Sequence, residues 1–158
     1  MSTLLEKALE KVAALPQDEQ DAIASQILAS IADESAWKAR FAEKRDVIRR
    51  MAREAIEEDE RGKTWPMERP ALMQSRTTRR FWRLFSHLPA DIQRDAKRSY
   101  RLFRTNPAHP GLQFKKLEGE DNIYSVRIGL EYRALAVMNK DRVVRYWVGS
   151  HHEYDRLV

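Results

Sequence analysis

Apolar positions in the first sixty residues recur at helical spacing. Leu4, Ala8, Val12 and Leu15 form one stripe, widened by Leu5 and Leu9, and Pro16 closes it. Pro16 suits the first turn of a second helix, where Asp18 and Glu19 complement the helix dipole. Ile23, Ile27 and Ile31 then form an i, i+4, i+8 stripe on that helix. A third is expected from near Ser35, with Trp37, Phe41, Ile48, Ala52 and Ile56 on one side, running into Glu57-Glu-Asp-Glu60 and ending at Gly62. These are short amphipathic helices with much exposed charge, and such a segment needs a partner surface to be stable.

Residues 62–75 carry a Gly, two Pro and no periodicity, the pattern of a linker or extended arm. Trp65 within it reads either as an anchor docked on the second half or as a partly exposed linker residue. Helical spacing then returns. Thr77 or Thr78 can cap a helix bearing Phe81, Trp82, Phe85 and Leu88. Pro89 and Asp91 open another, with Ile92, Ala96, Tyr100 and Phe103, which Asn106-Pro107 and Pro110-Gly111 terminate. Past Gly111 the period falls to two. Tyr124, Val126 and Ile128 share one face of a strand, and Ser125 and Arg127 share the other. Tyr132–Met138 and Arg142–Val148 are further strands, with turns at Gly129-Leu-Glu131 and Asn139-Lys-Asp141. The expected product is an α+β domain, a meander of antiparallel strands with two helices on one face.

Charge sharpens the division. Of the 158 residues, 1–72 hold 12 Lys+Arg against 15 Asp+Glu, and 73–158 hold 17 against 9. The halves thus carry −3 and +8, the arrangement of an acidic cover and a basic active module in one chain. Met73 at the junction would suit the start codon of a once separate protein, so a natural or engineered fusion accounts for the change of style. There is no Cys, hence no disulfide and no thiolate metal site. No apolar run approaches the roughly 20 residues of a membrane span, and the N-terminus lacks a signal peptide's apolar core, so a cytoplasmic location and no membrane partner are expected.

The chemistry-bearing side chains gather late in the chain. Arg127 lies opposite the packed face of its strand, Arg133 follows the next turn, and His151, His152 and Tyr154 follow the last strand. Such a set suits metal-independent RNA cleavage. Arginine holds the phosphate, histidine exchanges a proton with the 2′-hydroxyl or the leaving oxygen, and tyrosine orients the phosphate or stacks on a base. Lys115, Lys116, His152 and Arg145 are candidate RNA contacts. Lys115 and Lys116 alternate faces, so at most one points toward a bound phosphate. No carboxylate cluster converges on His151-His152, and neither metal nor cofactor is expected. His87 and His109 read as structural.

The ordered set of Pro89-Ala-Asp-Ile-Gln-Arg-Asp-Ala96, Phe114-Lys-Lys-Leu-Glu-Gly119, Tyr124-Ser-Val-Arg-Ile-Gly129, Glu131-Tyr-Arg-Ala134 and Val148-Gly-Ser-His-His-Glu-Tyr-Asp155 resembles a toxin of the RelE/ParE superfamily over residues 76–157. The first half resembles, more softly, the small helical antitoxin encoded upstream of such toxins. The resemblance implies two helices against a small antiparallel sheet, with residues 1–61 an antitoxin-like segment, 62–75 an arm and 76–158 the toxin domain. It implies a ribosome-dependent mRNA endoribonuclease, a translation inhibitor, with Arg127 and Arg133 matching phosphate-holding strand positions. His151 matches the basic residue after the last strand, and Tyr154 the C-terminal tyrosine. Trp37, Phe41, Ile48, Ile56 and Trp65 would form the antitoxin–toxin interface, within one chain or between chains. Ser125 stands where the best-known pattern has a lysine, and the strand expected before the Phe81 helix is not evident in Leu72–Arg76. The alternatives are a ParE-like DNA gyrase inhibitor, or an autorepressing complex bound to operator DNA. The latter is disfavoured by the −3 charge and the lack of a DNA-binding motif. A homodimer stays open.

Overall fold

The computed structural model describes residues 1–66 and 74–157. Met73, and with it the suggested junction, lies outside the described residues. The chain divides into two compact units, Met1–Lys38 and Ala39–Val158.

The first unit holds helix α1 (Thr3–Ala13) and most of α2 (Gln17–Glu43). Ser2 caps α1, its Oγ accepting from the Leu5 amide at 3.1 Å. The Gln20 side chain donates to the Leu15 carbonyl at 2.9 Å, satisfying one of the acceptors freed as α1 ends before Pro16. No residue of α1 is buried, and Leu4, Leu28 and Ile31 are largely exposed. The break expected near Ser35 does not occur. Nothing between Ser35 and Glu43 forbids helix, and α2 continues until Lys44, whose φ of −113° and ψ of 38° leave the helical region.

In the second unit the remaining elements are α3 (Arg45–Glu60), β1 (Trp65–Pro66), β2 (Gln74–Thr77), α4 (Arg79–Ser86), α5 (Ala90–Thr105), β3 (Lys115–Lys116), β4 (Ile123–Arg127), β5 (Tyr132–Asn139), β6 (Arg142–Ser150) and α6 (His151–Asp155). The strands form one sheet in the order β1-β2-β6-β5-β4-β3. The meander β3 to β6 is antiparallel, as its alternation predicts. Beside it β2 pairs parallel to β6, and β1 pairs antiparallel to β2, so the sheet is mixed. The strand before the Phe81 helix therefore exists. It escapes a hydrophobic reading because its inward residues are Ser75 and Thr77, polar side chains that are almost fully buried. Of the two candidate caps, Thr78 serves, its Oγ1 accepting from the Phe81 amide at 3.2 Å.

Left-handed backbone closes the turns. Gly129 (φ 108°) and Glu131 (φ 69°) link β4 to β5, and Lys140 (φ 59°) lies at the tip between β5 and β6. A register shift at Leu135/Ala136 lets Tyr146 bulge from β6.

The sheet has two covered faces. On one, Phe81 and Leu88 from α4 and its end pack with Val126, Ile128, Ala134 and Val148, and Ile92 and Ala96 of α5 join them. Phe103 and Leu112 extend that layer over Ala136 and Val143. Each such aromatic or aliphatic side chain contributes roughly 1.5–3 kcal/mol through burial. On the other face lie Leu135, Val137 and Val144, also fully buried. Here α3 packs against β5 and β6, its buried stripe being Ile48, Met51, Ala52 and Ala55.

Candidate functional site

Strand register assembles the predicted set at one end of the sheet. Arg127 pairs with Arg133 across β4 and β5, and Arg133 pairs with Gly149 across β5 and β6, two residues before His151. Two like charges directly opposite one another repel, so this pairing is held by its surroundings rather than by itself. Arg133 is 2% exposed and folds its Nη1 back on the chain, donating to the carbonyls of Tyr132 at 2.9 Å and Gly129 at 3.3 Å. Arg127 is half-buried. The absence of a side chain at Gly149 matters, because a Cβ there would lie 2.9 Å from the Trp147 ring and 3.2 Å from Glu153 Oε2.

A capping box sets α6 on the end of β6. Ser150 Oγ accepts from the Glu153 amide at 3.3 Å, and Glu153 Oε1 accepts in return from the Ser150 amide at 3.3 Å. Successive helical positions diverge by about 100°, so His151 and His152 separate. His151 is half-buried; His152 is exposed, its Nε2 2.8 Å from Arg156 Nη2. Tyr154 is fully buried, its ring edge-on to Phe41 and Trp147 at 5.5 Å each. Burial raises its phenol pKa well above the usual value, and Asp155 and Glu43 add to the rise. Burial likewise raises Tyr132, with Glu153 as the next cause.

Residues just before α3 close over this end. Arg40 Nε meets Asp155 at 3.0 Å. Lys44 Nζ donates to the carbonyls of Tyr154, Asp155 and Leu157 at 3.2, 2.7 and 2.6 Å, a cation on the carbonyl end of α6. Along α3, Arg45 donates to the Glu118 carbonyl at 2.7 Å and Arg49 meets Glu120 at 2.6 Å. At the far end Asp59, 3% exposed, accepts from Thr64 at 2.8 Å, Asn139 at 3.1 Å and Arg142 at 3.1 Å, and lies 3.7 Å from Arg76. Arg76 also donates to Thr64 Oγ1 at 2.9 Å.

These contacts revise the picture of an acidic cover on a basic module. Asp59 and Glu54 follow it, the latter meeting Arg80 at 3.2 Å. Most of the other ties run the opposite way, from cations at positions 40–49 to carboxylates and carbonyls of the second half. Neither Asp59 nor Lys44 stood out in the sequence. Asp59 sits inside a run of four acids, and only the helical offset that joins it to the buried stripe at Ala52 and Ala55 separates it from its neighbours.

Among the expected interface residues, Ile48 is buried on α3 and Ile56 is half-buried, while Phe41 meets Tyr154. Trp37 belongs to the first unit. Trp65 is 45% exposed, so it engages through its backbone pairing to Thr77 rather than as a buried anchor. Among the expected RNA contacts, Lys115 and Lys116 are exposed. Lys115 lies across from Ser125, on the side of Arg127, and Lys116 across from Tyr124, on the other. Arg145 is not on the Arg127 side. It is buried beneath α5, 5.2 Å from the Tyr100 ring centre and 4.7 Å from that of Phe103. His109 is structural as expected, its Nδ1 accepting from the Gly111 amide at 3.0 Å.

Helices α4 and α5 against one face of a small sheet, a basic end at the last strand and α3 packed on the opposite face define a small α+β domain. Residues 90–156 match the family model of the ParE-like toxin domain, which covers α5 through α6. Three solved structures are partly similar. A chain of the RelB–RelE antitoxin–toxin complex from Methanococcus jannaschii is 23% identical with a TM-score of 0.44, covering 50% of this chain and 94% of its own. One from the archaeal RelE–RelB complex of Pyrococcus horikoshii is 20% identical, TM-score 0.38, covering 47% and 89%. A copper-bound mutant toxin from Helicobacter pylori is 16% identical, TM-score 0.38, covering 51% and 97%. Comparison with curated proteins gives no match. Among the described residues, no helix is long and apolar enough to cross a membrane.

Proposed function

We propose that this chain is a toxin–antitoxin module in one polypeptide, residues 1–61 acting as antitoxin, 62–75 as an arm and 76–158 as toxin. The observation that carries this reading is the seating of residues 40–60. Phe41, Arg40 and Lys44 engage α6, and α3 covers a face of the sheet and is clamped at Asp59. Covalent linkage raises the local concentration of the cover to roughly millimolar, so the fused chain is a self-inhibited form.

The toxin activity is cleavage of mRNA on the ribosome. Arg127 and Arg133 provide positive charge for the scissile phosphate, and His151 the proton transfer. Tyr154 orients the site once the cover lifts, and Lys115 and His152 extend the contact along the RNA. Tyr154 lies under Phe41 in the covered form, so the intact chain is expected to be inactive. Expression of residues 73–158 alone is expected to arrest growth with discrete new 5′ ends in an abundant mRNA, whereas the full chain does neither. Arg127→Ala in the short form is expected to restore growth. Persistent arrest by that variant, without cleavage, would overturn the nuclease reading.

A second reading, a ParE-like inhibitor of DNA gyrase, is favoured by the ParE-like match over 90–156. It predicts DNA-damage signalling, no mRNA cleavage and indifference to Arg127→Ala.

A further inference from the structure

A cavity of about 160 Å³ lies between α4, α5 and the sheet, on the face away from α3. Phe81, Trp82, Phe85 and Val126 form apolar walls, and Trp82 is 38% exposed. Of the polar side chains that also line it, two have a buried atom without a hydrogen-bond partner among the described residues. They are Arg145, through Nη1, and Tyr100, through its hydroxyl. Arg145 is 4% exposed and Tyr100 7%.

A buried guanidinium is costly unless a counter-charge or hydrogen bonds replace its lost water. Arg145 has the faces of Tyr100 and Phe103, a cation–π environment, and no carboxylate ion pair among the described residues. Burial lowers its pKa to about 10, still above neutrality, so the cation persists at pH 7. A chloride or phosphate would meet the charge but leave the aromatic walls unfilled. A neutral hydrocarbon would fill the walls but leave the charge unmet. Lys97 and Arg101, which also line the cavity, add to the positive field. A cavity of roughly this size accommodates a benzene-sized body.

We infer that this cavity binds a small organic carboxylate, with its acid group on Arg145 and Tyr100 and an aromatic or branched apolar body against Phe81, Trp82 and Phe85. Both carboxylate oxygens can accept from a guanidinium, and the Tyr100 hydroxyl can donate to one of them. The inference stands apart from the proposed toxin activity, whose residues lie at Arg127, Arg133 and α6.

The test is calorimetric titration of the full chain at pH 7 and fixed ionic strength with benzoate, benzyl alcohol and inorganic phosphate. Saturable benzoate binding is expected, with the alcohol and phosphate weaker by about tenfold or more, the loss of a charged hydrogen-bonded pair. Arg145→Met, which keeps the volume and removes the charge, is expected to weaken benzoate by a similar factor. Tyr100→Phe removes only the hydroxyl, and several-fold weaker benzoate binding is expected of it. If Arg145→Met fails to fold, Tyr100→Phe decides, read by the indole N–H resonance of Trp82 during titration. No saturable benzoate binding, equal affinity for benzyl alcohol, or unchanged affinity in the folded variants would overturn the inference.

Discussion

The two faces of the sheet are covered by different means. Under α4 and α5 the contact is a continuous apolar layer, Phe81, Leu88, Val126, Ile128, Ala134 and Val148. Under α3 the buried stripe is shorter and built from small or flexible residues, Ala52, Ala55 and Met51 beside Ile48. Polar ties at each end, Lys44 on α6 and Asp59 on Arg142, hold it in place. The first face resembles a domain's own core; the second resembles an interface, with charged pairs setting register more than strength.

This contrast can be broken by experiment. Phe81→Ala is expected to be the costliest change, about 4 kcal/mol of stability by urea denaturation, with one cooperative loss of the whole second unit. Asp59→Ala comes next. Removing the carboxylate takes the shared acceptor from Arg142, Arg76 and Thr64, at a cost of about 2 kcal/mol, since the Arg142 side chain is 39% and that of Arg76 21% exposed to water. Unlike Phe81→Ala, it is expected to release α3 before the sheet melts, seen as early proteolytic cleavage within α3 and a split transition. Should both variants unfold in one step with equal cost, the two faces are a single core and the distinction fails.

The smallest effect is on pH. Tyr154 and Tyr146 have phenols whose pKa burial raises above the ordinary 10.0. The unfolded chain then ionises first, so their contribution is complete below pH 10 and is lost as pH rises beyond it. Each tyrosine contributes a slope of at most about 1.4 kcal/mol per pH unit. Arg145 runs the other way. Its folded pKa of about 10 lies below the ordinary 12.5, so its burial penalty fades across that window and partly offsets the loss. Thermal denaturation from pH 8 to 11 is expected to show stability falling above 10, with a shallower fall in Tyr154→Phe. An unchanged profile in that variant would mean that Tyr154 is hydrated, and would weaken the case for a tightly held cover.

Much of this was legible in the chain itself. Period-two alternation places Tyr124, Val126 and Ile128 on one face of β4 because a strand turns successive side chains to opposite sides. Helical spacing marks Phe81, Phe85 and Leu88, and Thr78 caps their helix. Arg127, Arg133 and His151 could be picked out by residue type and position. What misled was local. The sequence offers no signal for the parallel strand Gln74–Thr77, since its buried residues are Ser and Thr and the strand it pairs with lies some seventy residues away. Helix α2 passes through Ser35 because helix propensity there is adequate, and only Lys44 departs.

By itself, then, the sequence determined the helices and strands that carry an apolar period, which strand faces are apolar, and where the positive charge collects. These follow from short-range periodicity and composition. Only the tertiary structure decided that Arg145 is entombed against Tyr100 and Phe103 while Arg127 is not, that Asp59 alone of four adjacent acids is buried, and that Lys44 reaches the carbonyls of α6. Each depends on which distant segment supplies the neighbouring atoms, and burial, pairing and desolvation are properties of those neighbours rather than of the residue.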